Sequence, residues 1–241
     1  MAVKLASILK QIHWSSLIRA VVFAASWWYL PTWLFLVLAC IIYFLPPFET
    51  RRNFPAFLVI VGISLATPPA ILMAVIYGIL CYYLLLIKDF LVVNRKSARA
   101  MLAMALSFFL FREFFFVWQA GFSSGSLAWA WVVAAAFGML VNGVIVARRG
   151  KEVSDEREAV RLRRVAVSVS ALILFEVLAV CLFLPVDFIY QSIVAFLVAA
   201  LLLDFVPAYF FRELGSRRIR TTAMALAGLL IVVLASAKWG I

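Results

Sequence analysis

The chain has 241 residues, 67% of them hydrophobic and 14% charged, with a formal net charge of +11. A soluble domain is about half apolar, so this composition excludes an ordinary globular protein and points to the membrane. The excess of Lys and Arg does not mark a nucleic-acid interface, because these residues occupy short connections between apolar runs rather than one face of a domain. The expected partner is the lipid bilayer, with no nucleic acid.

Residues 1–16 form a basic N-terminal segment. Leu5, Ile8, Leu9 and Ile12 recur at helical spacing, with Lys4 and Lys10 off that face. This fits either an interfacial helix or a frayed basic end. No signal-peptide cleavage pattern follows the first apolar run. Residues 17–241 then read as a single transmembrane domain.

From Leu17 to Leu45 the chain is apolar but interrupted at Pro31, which predicts two short spans, about 17–30 and 32–45. The pattern recurs from Phe54 to Ile87 with a break at Pro68-Pro69, predicting spans of about 56–67 and 69–87. The first half of each unit is short for a hydrocarbon core of ~30 Å, which takes roughly 20 helical residues. Both units share basic flanks and a proline apex, as a tandem duplication would. Broken helices can line a transporter site, but two tight helical hairpins explain the same pattern. Five longer spans follow, about 98–118, 127–147, 163–184, 187–210 and 220–239. Gly121 to Gly125 links the fifth and sixth, and Pro185 and Asp187 mark a tight turn after the seventh. The predicted fold is all-α, a polytopic transmembrane helix bundle of about nine spans, the first four short and proline-interrupted.

Lys and Arg load alternate connections: Arg51 and Arg52, then Lys88 to Arg99, then 148–164, then Arg212 to Arg220. By the positive-inside rule this places the N-terminus in the cytoplasm and, with nine spans, the C-terminus outside. Trp27, Trp28, Trp33, Trp118, Trp129, Trp131 and Trp239 all fall near the predicted outer surface, as an aromatic belt does. The largest cytoplasmic loop is 148–164, read as a short charged helix. The expected location is the cytoplasmic membrane.

Few residues inside the spans can carry chemistry. Arg112 and Glu113 sit side by side within Phe108–Trp118, roughly 7–9 Å below the outer end at 1.5 Å per residue. Glu176 lies about 12 Å below the outer end near Leu184 by the same rise. Ionisable groups at such depth face protein or a water-filled cavity and find partners. The expected pair is Arg112 with Glu176, leaving Glu113 on another part of its helix. Asp204, in the inner half of the eighth span just before Pro207, either binds an ion or proton or reaches a cytoplasmic cation such as Arg212. In the sixth span Ala130, Ala134, Gly138 and Asn142 recur every four residues, a close-packing stripe for a helix of this chain, a protein partner or a second copy.

Enzyme signatures are missing: no GxSxG, HExxH, aspartate dyad or phosphate-binding glycine loop. Cys40, Cys81 and Cys181 are far apart and His13 is the single histidine, so no metal site and no cofactor is expected. Phe111-Arg112-Glu113 resembles the arginine motif of the CAAX-protease-like intramembrane peptidases. Those require an upstream Glu-Glu pair and two membrane histidines, which this chain lacks, so the activity does not carry over. Leu201 to Asp204 resembles a stretch in rod-shape-determining membrane subunits, too short a match to imply a function. The leading expectation is a non-enzymatic scaffold or assembly subunit of a membrane complex. The alternative is a transporter or channel for a small solute, ion or lipid, built on Arg112, Glu113, Glu176 and Asp204. The third is an enzyme acting on a lipid-linked substrate.

Overall fold

A computed structural model describes residues 13–45, 50–89, 94–120, 126–148, 156–210, 215–237 and 239. Among them the chain is all-helical: α1 Trp14–Tyr29, α2 Thr32–Phe44, α3 Thr50–Ala66, α4 Ile71–Lys88, α5 Arg95–Gln119, α6 Ser126–Arg148, α7 Glu156–Leu182, α8 Phe188–Phe210 and α9 Ser216–Ser236. Six of these, α4 to α9, are long and apolar enough to cross a membrane. The chain divides into two compact units, residues 1–98 and 99–241.

In the first unit, α4 packs on α1 and α3, and α2 packs on α1 and α3. The break between α1 and α2 follows from Pro31, which pushes the residue before it out of the helical region. Leu30 is accordingly extended, at φ −97° and ψ 150°. The 13 residues of α2 span only ~20 Å at 1.5 Å per residue. The predicted 56–67 span starts earlier than expected: α3 begins at Thr50 and runs through Pro55. Pro55 withdraws only the donor for the Arg51 carbonyl, close to the helix end, so the helix tolerates it. After Ala66, Thr67 returns its hydroxyl to the Ile63 carbonyl at 2.8 Å and meets the Tyr77 hydroxyl, closing the turn that Pro68 and Pro69 open.

The core of this unit is aromatic. Phe23 and Phe35 meet edge-on at 5.3 Å, and Tyr43 stacks on Phe57 at 4.1 Å. Trp27, expected in the outer aromatic belt, is buried instead: its ring meets Tyr77 edge-on and its Nε1 donates to the Ser64 carbonyl at 2.6 Å. Where α1 crosses α4, a Cβ on Gly78 would stand 3.2 Å from the Ala24 Cβ, so only glycine permits this approach without a shift.

In the second unit α6, α7 and α8 pack on one another, and α9 packs on α8. The α6–α7 seam is built on small residues. Ala130 and Ala134 are fully buried, and a Cβ on Gly138 would meet Ala171 and Val167 of α7 at 3.4 Å. Trp131 stacks on Phe175 at 4.0 Å near one end of the seam. Large rings hold α5 instead: Phe111 lies against Phe137, Phe108 against Phe196 and Phe116 against Phe188. The turn after α7 is pinned by Gln119, which donates to the Val186 carbonyl at 3.1 Å, and by Gln191, which donates to the Leu184 carbonyl at 3.0 Å. Asp187 accepts from the Ile189 amide at 2.9 Å and so starts α8, as its place in the sequence suggests.

The charged helix read within 148–164 is continuous with the seventh span: residues 156–164 are the first turns of α7 and run on into its apolar stretch. The charges thus sit on a helix that extends beyond the span. The interfacial helix expected within 1–16 falls mostly on residues 1–12, and the Gly121–Gly125 link is also outside the described residues.

Candidate functional site

The α5 pair forms, but locally. Arg112 turns its Nη1 onto Oε1 of the adjacent Glu113, which is buried at 3% exposure, while Arg112 is 31% exposed. The expected Arg112–Glu176 pair assumed that neighbours about 100° apart on a helix face different ways. An arginine side chain is long enough to wrap that angle, and Glu113 is the carboxylate its Nη1 meets. The buried charge on α5 is thereby compensated inside one helix turn.

Glu176 is in a different position. It is exposed on α7, and it makes no hydrogen bond or ion pair among the described residues. The buried ridge of α7 is Ser170, Leu174, Leu178 and Cys181. Glu176 belongs to the opposite stripe, with Val165, Val169, Leu172, Val180 and Phe183, all exposed. Their spacings of four and three residues average about 3.6, so they form one face of a straight helix. Glu176 is eleven residues from Val165 and eight from Leu184, so it stands ~16 Å and ~12 Å from the ends of the apolar run.

Asp204 is half-buried on α8 and lines a recess of about 470 Å³ with Met104 of α5, Ala200 of α8, and Thr221, Thr222, Ala225, Leu226 and Leu229 of α9. The recess exists because small side chains face one another where α9 crosses α8. Pro207, one turn on, has no N–H for the Leu203 carbonyl. The stripe residues Ala130, Ala134 and Gly138 are spent on the seam with α7, and Asn142 is half-buried at its continuation. The structure thus joins Arg112 to Glu113 and sets Glu176 and Asp204 in separate surroundings on α7 and α8.

Among the described residues a polar cluster also forms in the first unit. Arg19 of α1 pairs with Asp89, just past the end of α4. It also donates to the Leu45 carbonyl at 2.9 Å, to the Ser15 carbonyl at 3.2 Å and to the Ser16 hydroxyl at 3.2 Å. The Ser16 hydroxyl donates to Asp89 Oδ2 at 3.3 Å and lies 3.1 Å from His13 Nδ1. Lys88 is fully buried, donates to the Tyr43 carbonyl and stands 5.1 Å from the centre of the Tyr43 ring. His, Ser and Asp in contact suggest a hydrolase triad, but the order is wrong. Nucleophilic catalysis needs the imidazole between hydroxyl and carboxylate; here the serine lies between, fully buried and already accepting from Arg19. The arrangement performs a capping task. A helix leaves its last carbonyls without partners, and Lys88 and Arg19 deliver donors and positive charge to the C-terminal end of α2. At the level of sequence Lys88 counts only as a topology marker, and Arg19 carries no site role. The available signal was an arginine inside the first apolar run together with a Lys-Asp pair closing the fourth.

Among the described residues no three His, Cys, Asp or Glu side chains gather as metal ligands. No protein-family model, curated protein or solved structure matches the chain significantly.

Proposed function

We propose that this integral membrane protein is a non-enzymatic assembly subunit, docking another membrane protein on the outward face of α7. The carrying observation is Glu176, a carboxylate midway along an apolar span that faces away from its own bundle. An aspartate at the centre of a membrane helix costs about 2.5–3.5 kcal/mol on an insertion scale, and intramembrane carboxylates face protein or water. A glutamate turned outward at this depth is accounted for when a second protein covers it. The apolar residues beside it need no such account, since lipid satisfies them. Support for nine spans with a cytoplasmic N-terminus comes from the alternation of Lys- and Arg-rich connections, and a bacterial-type cytoplasmic membrane suits that charge pattern. A photo-crosslinker placed at Val169 or Val180 in cells should give a protein adduct that disappears with Glu176→Leu. Crosslinks to lipid alone, or adducts indifferent to Glu176, refute the assignment.

A second reading, transport of a small solute, ion or lipid, draws on the recess at Asp204. It predicts flux in proteoliposomes that Asp204→Asn abolishes, which the assembly reading does not.

A further inference from the structure

The structure assigns the α7 face a partner of definite chemistry: a transmembrane helix of a different protein, carrying one basic side chain level with Glu176 and an acidic side chain at the end level with Arg161. This inference rests on the assembly reading above and identifies the occupant of that face.

Charge complementarity selects the occupant. The exposed stripe of α7 holds two charged levels. Arg161 is exposed beside Leu162, and Glu176 follows ~22 Å from Arg161 at 1.5 Å per residue. Copies of one membrane protein insert in the same sense, so α7 packed on α7 of a second copy is parallel and isologous. Each charge then meets itself: Glu176 against Glu176, and Arg161 against Arg161. Like charges juxtaposed at an interface are strongly disfavoured. The other ionisable groups near the span do not relieve this. Arg112 is held by Glu113 on α5, Asp204 lines the recess between α8 and α9, and Arg163, half-buried, lies on the ridge of α7 that faces the bundle, away from Glu176. A heterologous helix with the opposite signs satisfies both levels at once, and Val165, Val169, Leu172 and Val180 supply an aliphatic face for it.

The test uses the full-length chain in phosphatidylcholine vesicles, donor-labelled, titrated with acceptor-labelled synthetic helices of leucine and alanine. One peptide carries a central lysine and an aspartate at the matching end; a control peptide carries leucine at the centre and the same aspartate. The lysine peptide should bind about tenfold more tightly, the scale of a polar contact between model membrane helices. Glu176→Leu should remove that preference, and Glu176→Gln, which keeps the shape without the charge, should remove most of it. Both variants should unfold in mixed micelles like the parent chain, since Glu176 is exposed and makes no hydrogen bond or ion pair among the described residues. Equal binding of the two peptides, or a preference that survives Glu176→Leu, overturns the proposal. Energy transfer between copies that depends on Glu176, without a lysine preference, overturns the heterologous partner and leaves the assembly reading standing. Absence of both associations overturns the two together.

Discussion

The Arg19–Asp89 pair tests whether the first unit is held by the charges clustered at one end of its helices. Asp89 is 8% exposed, and its partners are Arg19 and the Ser16 hydroxyl at 3.3 Å; Oδ1 has no partner among the described residues. Replacing Arg19 by Met therefore leaves a carboxylate in a nearly dry site with only the Ser16 hydroxyl and the neighbouring Lys88 charge, and removes the donor from the Leu45 carbonyl. Breaking a buried pair costs about 3–5 kcal/mol in soluble proteins. In a membrane the unfolded helices stay inserted and find other partners, which lowers the figure, so about 3 kcal/mol is expected. Asp89→Leu should cost a similar amount by stranding the guanidinium, softened by its remaining bonds to the Leu45 and Ser15 carbonyls. The double variant removes both charges together, so the two losses should fall short of additivity by about 2 kcal/mol. Reversible unfolding in mixed detergent and dodecyl sulfate micelles reads all three. Additivity within about 0.5 kcal/mol would show that the two side chains are not energetically coupled.

Other expectations follow from single contacts. Gly138→Ala should be nearly neutral, because the new Cβ meets ordinary van der Waals distances, whereas Gly138→Leu should wedge α6 from α7 and cost about 1–3 kcal/mol in the same unfolding assay. Lys88→Leu should destabilise the first unit by leaving the Tyr43 carbonyl without its donor, and Lys88→Arg should recover part of the loss. Trp27→Phe keeps the ring contact with Tyr77 but drops the bond to Ser64, for a loss of about 1 kcal/mol. In a cysteine-free background, a cysteine at Pro69 should react with an impermeant maleimide from outside and one at Asn94 only after permeabilisation. The reverse pattern would invert the proposed topology.

The helices themselves were largely legible. Hydropathy marks α5 to α9 to within a few residues, except where α7 extends back to Glu156, and prolines mark the breaks at Leu30 and Thr67 because they remove a donor and restrict the residue before them. The early start of α3 was not legible, since Arg51, Arg52, Asn53 and Pro55 have the composition of a loop. Burial direction was also hidden. The apolar runs are hydrophobic all round, so periodicity does not separate the bundle face from the lipid face. Trp27 illustrates this: its residue type suggests the interface, and Ser64 takes its N–H into the core. The Arg19–Asp89 contact joins residues 70 apart in sequence, and no local spacing announces it.

A charge inside a span therefore does not reveal its role by depth alone; what matters is which groups its side chain can reach. Arg112 and Glu113 are deep and adjacent, and because an arginine can turn back along its own helix they neutralise one another locally. Lys88 is fully buried, and its amine is used to end α2, a helix of ~20 Å that closes with its carbonyls served by cations from α1 and α4. In both cases a partner within the chain accounts for the residue. Glu176 has a short side chain on a helix whose exposed neighbours are aliphatic, and no cation or donor of the described chain meets it. The same rule that makes intramembrane charges costly thus separates the three sites: a fold role for Lys88, local neutralisation for Arg112, and for Glu176 an exposed position that the proposed partner would cover.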